Sequence, residues 1–221
     1  MTFATSILNF FDKLNAPVFS NGIEIINPYP DKEVKAVVRS FYNKYFNDNN
    51  PRVFIIGINP GRFGGGITGI SFTDPVALKE FCGIENNLGD KKELSSRFIY
   101  EMINAYGGPE AFNKKFYLTA LYPLAIVNNG KNYNFYDDPK LYAALKSFMI
   151  SYLQDQIKAG AKKDIAICLG KKNYTFVDKI NKEYGFFREL KMLEHPRYIM
   201  QYKLKSLPDY IEKYIKVLDA C

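Results

Sequence analysis

Apolar residues in this chain recur with a helical period in some stretches and alternate or run together in others, and this switching outlines the fold. Met1 to Asn15 mixes polar and apolar positions as an amphipathic helix does. Gly22 to Ile26 alternates into a short strand, ended by Asn27-Pro28-Tyr29-Pro30. Asp31 then caps a helix whose Val34, Val37, Val38, Phe41 and Tyr45 form a stripe suited to a sheet face. Arg52 to Gly57 is branched and aromatic throughout its middle, the pattern of a strand buried on both faces. Ser95 to Tyr106 is helical and stops at Gly107-Gly108-Pro109, and Phe116 to Ala120 is the next strand. Pro139 to Lys158 is a long helix opened by Asp138 and stopped at Gly160. Asp164 to Gly170 is again a buried strand. A helix to Glu183, a strand over Leu190 to Leu193 and a helix capped at Ser206 complete the chain. Strands alternating with helices predict an α/β fold, a three-layer α/β/α sandwich around a central, mostly parallel sheet. No repeat, low-complexity tract or linker interrupts it, so residues 1–221 are expected to form one domain.

The most informative segment follows the second of these strands. Between Gly57 and Gly69 six of thirteen residues are glycine, and the one polar amide there is Asn59, held by Pro60. Glycines let the backbone approach a ligand closely, and open α/β sheets bind ligands at their carboxyl edge. Gly64, Gly66 and Gly69 also satisfy G-x-G-x-x-G, but a dinucleotide site needs a helix to open within those glycines. Ile70-Ser71-Phe72-Thr73 shows no helical period, and the next helix is expected only at Asp74-Pro75. No Gly-Lys-Ser/Thr follows, so the phosphate-loop pattern is absent.

Composition narrows the classes. Hydrophobic residues at 47% and charged ones at 24% are ordinary for a globular chain and argue against disorder. No apolar run reaches the eighteen or so residues that cross a bilayer, and the N-terminus lacks the features of a signal peptide. A cytoplasmic monomer without membrane contact is expected. Three distant cysteines and a single histidine fit reduced thiols and make neither a disulfide framework, a zinc site nor an iron–sulfur cluster, so no metal and no cofactor is expected. A net charge of +7 favours polyanionic partners. Lys114-Lys115, Lys162-Lys163 and Lys171-Lys172 are expected to be solvated loop charge.

The run Gly57-x-Asn59-Pro60-Gly61-x-Phe63-Gly64, followed by Thr68-Gly69 and Phe72, resembles the first motif of the single-strand-selective monofunctional uracil-DNA glycosylases, within the uracil-DNA glycosylase superfamily. Leu193 to Arg197, with its His-Pro, resembles that family's second motif, and Phe116 to Leu124 is similar to its uracil-reading strand. The resemblance implies hydrolysis of the N-glycosidic bond of uracil or another deaminated base in DNA, with single strands preferred and double strands also accepted. It implies Asn59 and His195 as catalytic residues, the first orienting water, the second donating a hydrogen bond to the departing base. Phe72 would stack on the base. Gly57, Ile58, Gly61, Phe63, Thr119 and Ala120 would complete the base pocket, backbone N–H groups near Ile58 and Phe63 meeting base carbonyls. Arg62, Arg197, Tyr198 and Lys203 would contact DNA, the last three from a stretch that interleaves basic and aromatic residues. Two departures mark a divergent subfamily: Ala120 stands where the family carries its uracil-reading asparagine, and Arg197 follows Pro196 with no intervening Ser-Pro. Thr119 and backbone groups are then left to read the base edge, with xanthine a second substrate. A non-catalytic nucleic-acid-binding module on the same fold, or an enzyme holding a nucleotide cofactor at Gly64–Gly69, are the alternatives.

Overall fold

The structure, a computed structural model, describes residues 1–19 and 22–221. In chain order the elements are α1 (Phe3–Phe11), β1 (Ile23–Ile26), α2 (Lys32–Tyr45), β2 (Arg52–Gly57), α3 (Gly65–Thr68), α4 (Pro75–Glu80), α5 (Leu94–Tyr106), α6 (Pro109–Asn113) and β3 (Phe116–Ala120). There follow β4 (Ala125–Asn128), β5 (Lys131–Tyr133), α7 (Pro139–Lys158), β6 (Ala161–Leu169), α8 (Lys171–Tyr184), β7 (Glu189–Leu193), α9 (Pro196–Tyr202) and α10 (Leu207–Asp219). The aspartates at 31, 74 and 138 each accept backbone N–H groups at the helix start read for them.

Four strands make a wholly parallel sheet in the order β3-β2-β6-β7, flanked by helices. Every residue of β2 is buried, because layers cover the sheet on both faces. The chain leaves β2 toward β3 on one side and leaves β6 toward β7 on the other. The crevice between the carboxyl ends of β2 and β6 is therefore the switch point at which such sheets bind ligands.

β1, β4 and β5 form a separate antiparallel sheet, which the sequence reading did not anticipate beyond β1. β4 and β5 join through Asn129-Gly130, both at positive φ (48° and 73°), as a type I′ hairpin turn requires. The Asn-Gly pair is the local signal for that hairpin. A second correction concerns the glycine loop, where α3 opens at Gly65 as a single turn. Its amides turn inward: Gly64 and Gly66 both donate to the Gly61 carbonyl, and Ile67 and Thr68 to that of Gly64. A turn spent in this way offers no cradle to a pyrophosphate. A third difference is α9, a helix not expected there, which occupies most of the segment that interleaves basic and aromatic residues.

β2 begins with a buried charge. Arg52 is wholly buried between the rings of Phe3 and Phe46, 5.0 and 5.1 Å from its guanidinium. It donates to both carboxylate oxygens of Asp48 and to the carbonyls of Asn50 and Asn113. Arg52 holds the Asp48 carboxyl below its usual range, so this contribution to stability is present at neutral pH and is lost as pH falls through the lowered value. Arg52→Ala should cost about 3 kcal/mol or more, since it strips a hydrogen-bonded buried charge from its partners. Urea unfolding measures it as a lower midpoint at unchanged slope, and a midpoint within error of wild type would contradict the assignment.

Candidate active site

Gly57 ends β2, and the ring of Phe72 lies over it so closely that a Cβ at position 57 would stand 2.5 Å from the ring. Phe72 itself holds φ at +57°, a left-handed conformation costly for an aromatic residue and sustained by the packed loop around it. Beyond Gly57 the chain passes through Ile58, Asn59, Pro60 and Gly61 along a cavity of about 830 Å³ at the switch point. Ala120, Phe72, His195, Arg197 and Tyr198 line the same cavity.

The Asn59 amide is fixed at both ends. Its Nδ2 donates to the Tyr133 carbonyl at 3.0 Å, and its Oδ1 accepts the Phe135 N–H at 3.3 Å. The β4–β5 hairpin therefore holds this side chain in one orientation while leaving a lone pair on Oδ1.

His195 is the N-cap of α9, with Nδ1 accepting the Arg197 N–H at 3.2 Å. Burial, with the Arg197 charge second, pushes its pKa down to about 4. The imidazole is thus neutral at physiological pH, and its one proton sits on Nε2 because Nδ1 is an acceptor. Its ring lies 6.2 Å from that of Phe72, inclined at 46°.

Other expected residues fall elsewhere. Thr119 does not line the cavity; its hydroxyl donates to Gln156 of α7 at 2.5 Å, because successive side chains of β3 point to opposite faces. Phe63 lies outside the cavity with its ring half exposed beneath the Arg62 guanidinium, 4.3 Å away. Arg62 is turned back onto the hairpin, its N–H donating to Asn132 and its guanidinium to the Gly130 carbonyl. Gly57 serves the cavity from beneath Phe72. Lys203, just past the end of α9, is exposed and outside the lining. Arg197, Tyr198, Gln201 and Tyr202 share the cavity side of α9, while Ile199 and Met200 are buried.

Sequence reasoning missed several lining residues. Lys171 and Lys172, read as solvated charge, reach the cavity because α8 starts at the sheet's carboxyl edge. Lys172 lies 4.2 Å from the centre of the Tyr136 ring. Asn173 sits wholly buried in the first turn of that helix. Glu93 is the fourth. Its carboxylate occupies the space that side chains at 61 and 64 would fill, within 1.8 and 1.9 Å of a Cβ built at each. Burial raises its pKa from 4.5 to about 7, against the attraction of Arg197 and with a smaller push from Asp74. Nothing in a local pattern marks Glu93, which precedes α5 and meets the glycines only through the fold. Among the described residues no group of three or more His, Cys, Asp or Glu side chains is placed to hold a metal ion. No helix there is long and apolar enough to cross a membrane.

The profile of the uracil DNA glycosylase superfamily matches residues 43–219. The crystal structure of wild-type SMUG2 from Pedobacter heparinus is similar to this one with a TM-score of 0.96 at 45% identity, covering 100% of this chain and 98% of that chain. Among curated proteins no match was found by sequence.

The Glu93 carboxyl has a titration signature. A pKa raised from 4.5 to about 7 means the folded chain holds this proton more tightly than the unfolded chain, so stability falls as pH rises through that window. Glu93→Gln removes the ionisable group. Its melting temperature should exceed that of wild type by a few degrees at pH 8, and the gap should close as pH falls below about 4.5. A gap independent of pH would show that this carboxyl is not held neutral by its surroundings.

Proposed function

This chain belongs to the uracil DNA glycosylase superfamily and is a DNA glycosylase, a hydrolase of N-glycosyl bonds; on that premise we propose how its cavity works and which substrates it takes. The observation that carries the reading is the convergence of Asn59 and Phe72, from the glycine-rich segment after β2, and His195, from the start of α9, on one cavity. A nucleotide turned out of the stack would place its base on Phe72, with the sugar toward Asn59. The remaining lone pair of Asn59 Oδ1 orients a water toward C1′. As the water oxygen bonds to C1′, the C1′–N bond breaks and its electron pair leaves with the base. The Nε2–H of the neutral His195 donates a hydrogen bond to the base oxygen on which that charge collects, the proton staying on the imidazole. The water's proton passes to solvent and the base anion takes one up from solvent, leaving a free base and an abasic sugar. An amide is a weak base, so orientation and charge stabilisation carry the rate.

The finer substrate range follows from the walls. Single strands enter most readily, because a base already unpaired costs less to turn outward. Arg197 and Tyr198 on the α9 side and Lys171 and Lys172 opposite it form the rim that receives the flanking phosphates and bases. Ala120 brings no amide to the base edge, which leaves room for xanthine beside uracil. The deciding experiment incubates single- and double-stranded oligonucleotides carrying uracil, xanthine or hypoxanthine with the enzyme and cleaves abasic sites with alkali. Cleavage at uracil and more slowly at xanthine, faster in single strands, is expected; intact strands after alkali at high enzyme excess would refute the reading.

Asn59→Ala should lower single-turnover excision by about 10²-fold or more, the usual worth of one preorganised contact to a transition state. His195→Ala should lower the same rate while leaving affinity for abasic DNA nearly unchanged. Excision at wild-type rate in either variant removes that residue from the mechanism.

A further inference from the structure

Ala120 leaves unanswered which side chain reads the base, and the opposite wall of the cavity answers it. Ala120 pairs with Gly57 across β3 and β2. On the other side of β2, Asn173 lines the same cavity and anchors its Nδ2 on the carbonyl of Ile56, the residue before Gly57, at 2.9 Å. The two positions thus flank one point of the sheet edge. Only nitrogen can donate to that carbonyl, so the anchor fixes the amide and commits Oδ1 as an acceptor. Asn173 is wholly buried, and its Oδ1 has no partner among the described residues. Buried acceptors are usually paired, and this one, on a residue lining the cavity, is open to a donor from a bound base. The first-turn N–H groups of α8 around it receive no side-chain cap, since Gly170 precedes them.

We propose that Asn173 is the base-reading residue of this enzyme, accepting a hydrogen bond from the ring N–H of the flipped base while first-turn N–H groups of α8 meet an adjoining carbonyl. The assignment rests on the glycosylase reading above. Its chemical content is specific. Deamination turns the cytosine N3 and the adenine N1 from acceptors into N–H donors, and xanthine carries such a donor as well. A fixed acceptor therefore welcomes the deaminated bases and leaves cytosine and adenine facing it lone pair to lone pair. The amide that Ala120 does not supply from a strand comes instead from a helix.

The test uses Asn173→Ala and the double variant Asn173→Ala/Ala120→Asn, each first shown to bind an abasic oligonucleotide like wild type. Asn173→Ala should slow single-turnover uracil excision by about 10²-fold, as loss of a buried reading contact does. Restoring an amide from the other wall should recover at least about tenfold of that loss, because the orphaned donor of the base again finds an acceptor. A second arm reads binding without catalysis. In a titration followed by NMR, free uracil should shift the Asn173 side-chain amide signals and 3-methyluracil, which lacks the N–H, should not. Uracil excision by Asn173→Ala at the wild-type rate overturns the assignment. A wild type that excises nothing overturns the function proposed above and leaves the second arm to decide. In that arm, amide signals unmoved by uracil, or moved equally by both compounds, overturn the assignment by themselves.

Discussion

The ring of Phe72 rests on Gly57, and the site depends on that contact. A Cβ at 57 would stand 2.5 Å from the ring, so only glycine lets the loop fold back over the end of β2. Similar limits hold along the loop: a Cβ at Gly66 would meet the Gly61 carbonyl at 2.8 Å, and one at Gly69 would meet Tyr29 and Val38 at 2.9 Å. The loop is thereby compacted onto α2 and the sheet edge instead of standing into solvent. Its compaction holds Phe72 at positive φ, a strain that a looser loop would release.

That compaction also orders the polar groups. Asn59 emerges from the loop beside the end of β5, where the Tyr133 carbonyl and, just past the strand, the Phe135 N–H hold its amide. His195 emerges at the start of α9, where its own cap hydrogen bond selects the tautomer. Neither side chain needs to reorient when charge develops, which is the condition under which fixed dipoles lower a barrier most. Glu93 supplies the opposing element, a carboxyl pressed between two glycines whose burial raises its pKa to about 7. It fills the space beside Gly61 and Gly64 that a phosphate at the glycine loop would need, consistent with a loop that serves a base and not a dinucleotide.

The cavity has two walls of different character. The α9 side is aromatic and basic at the rim through Arg197, Tyr198 and Tyr202, with Ile199 and Met200 tying the helix to the core. The α8 side carries Lys171 and Lys172 at the rim and Asn173 at the base. Both helices start at the carboxyl ends of parallel strands, β6 and β7, so their first turns face the cavity by topology.

By itself the sequence determined what rests on local physics. Hydrophobic periodicity and capping aspartates located the parallel strands and their helices, since burial stripes and caps are short-range properties. The glycine density after β2 and the His-Pro after β7 located the two loops that face each other. Only the tertiary structure decided which side chains of those loops reach the cavity. Thr119 and Ala120 are neighbours on one strand, yet the pleat sends one to Gln156 and the other to the site. Asn129-Gly130 carries a local hairpin signal that the sequence reading passed over, and nothing local says that the hairpin's second strand clamps Asn59. Glu93 and Asn173 lie 34 and 114 residues beyond Asn59 by their numbering and look unremarkable in their own segments. They become site residues only because parallel strands bring distant loops to one edge, and pairing across that distance is set by the packing of the whole core.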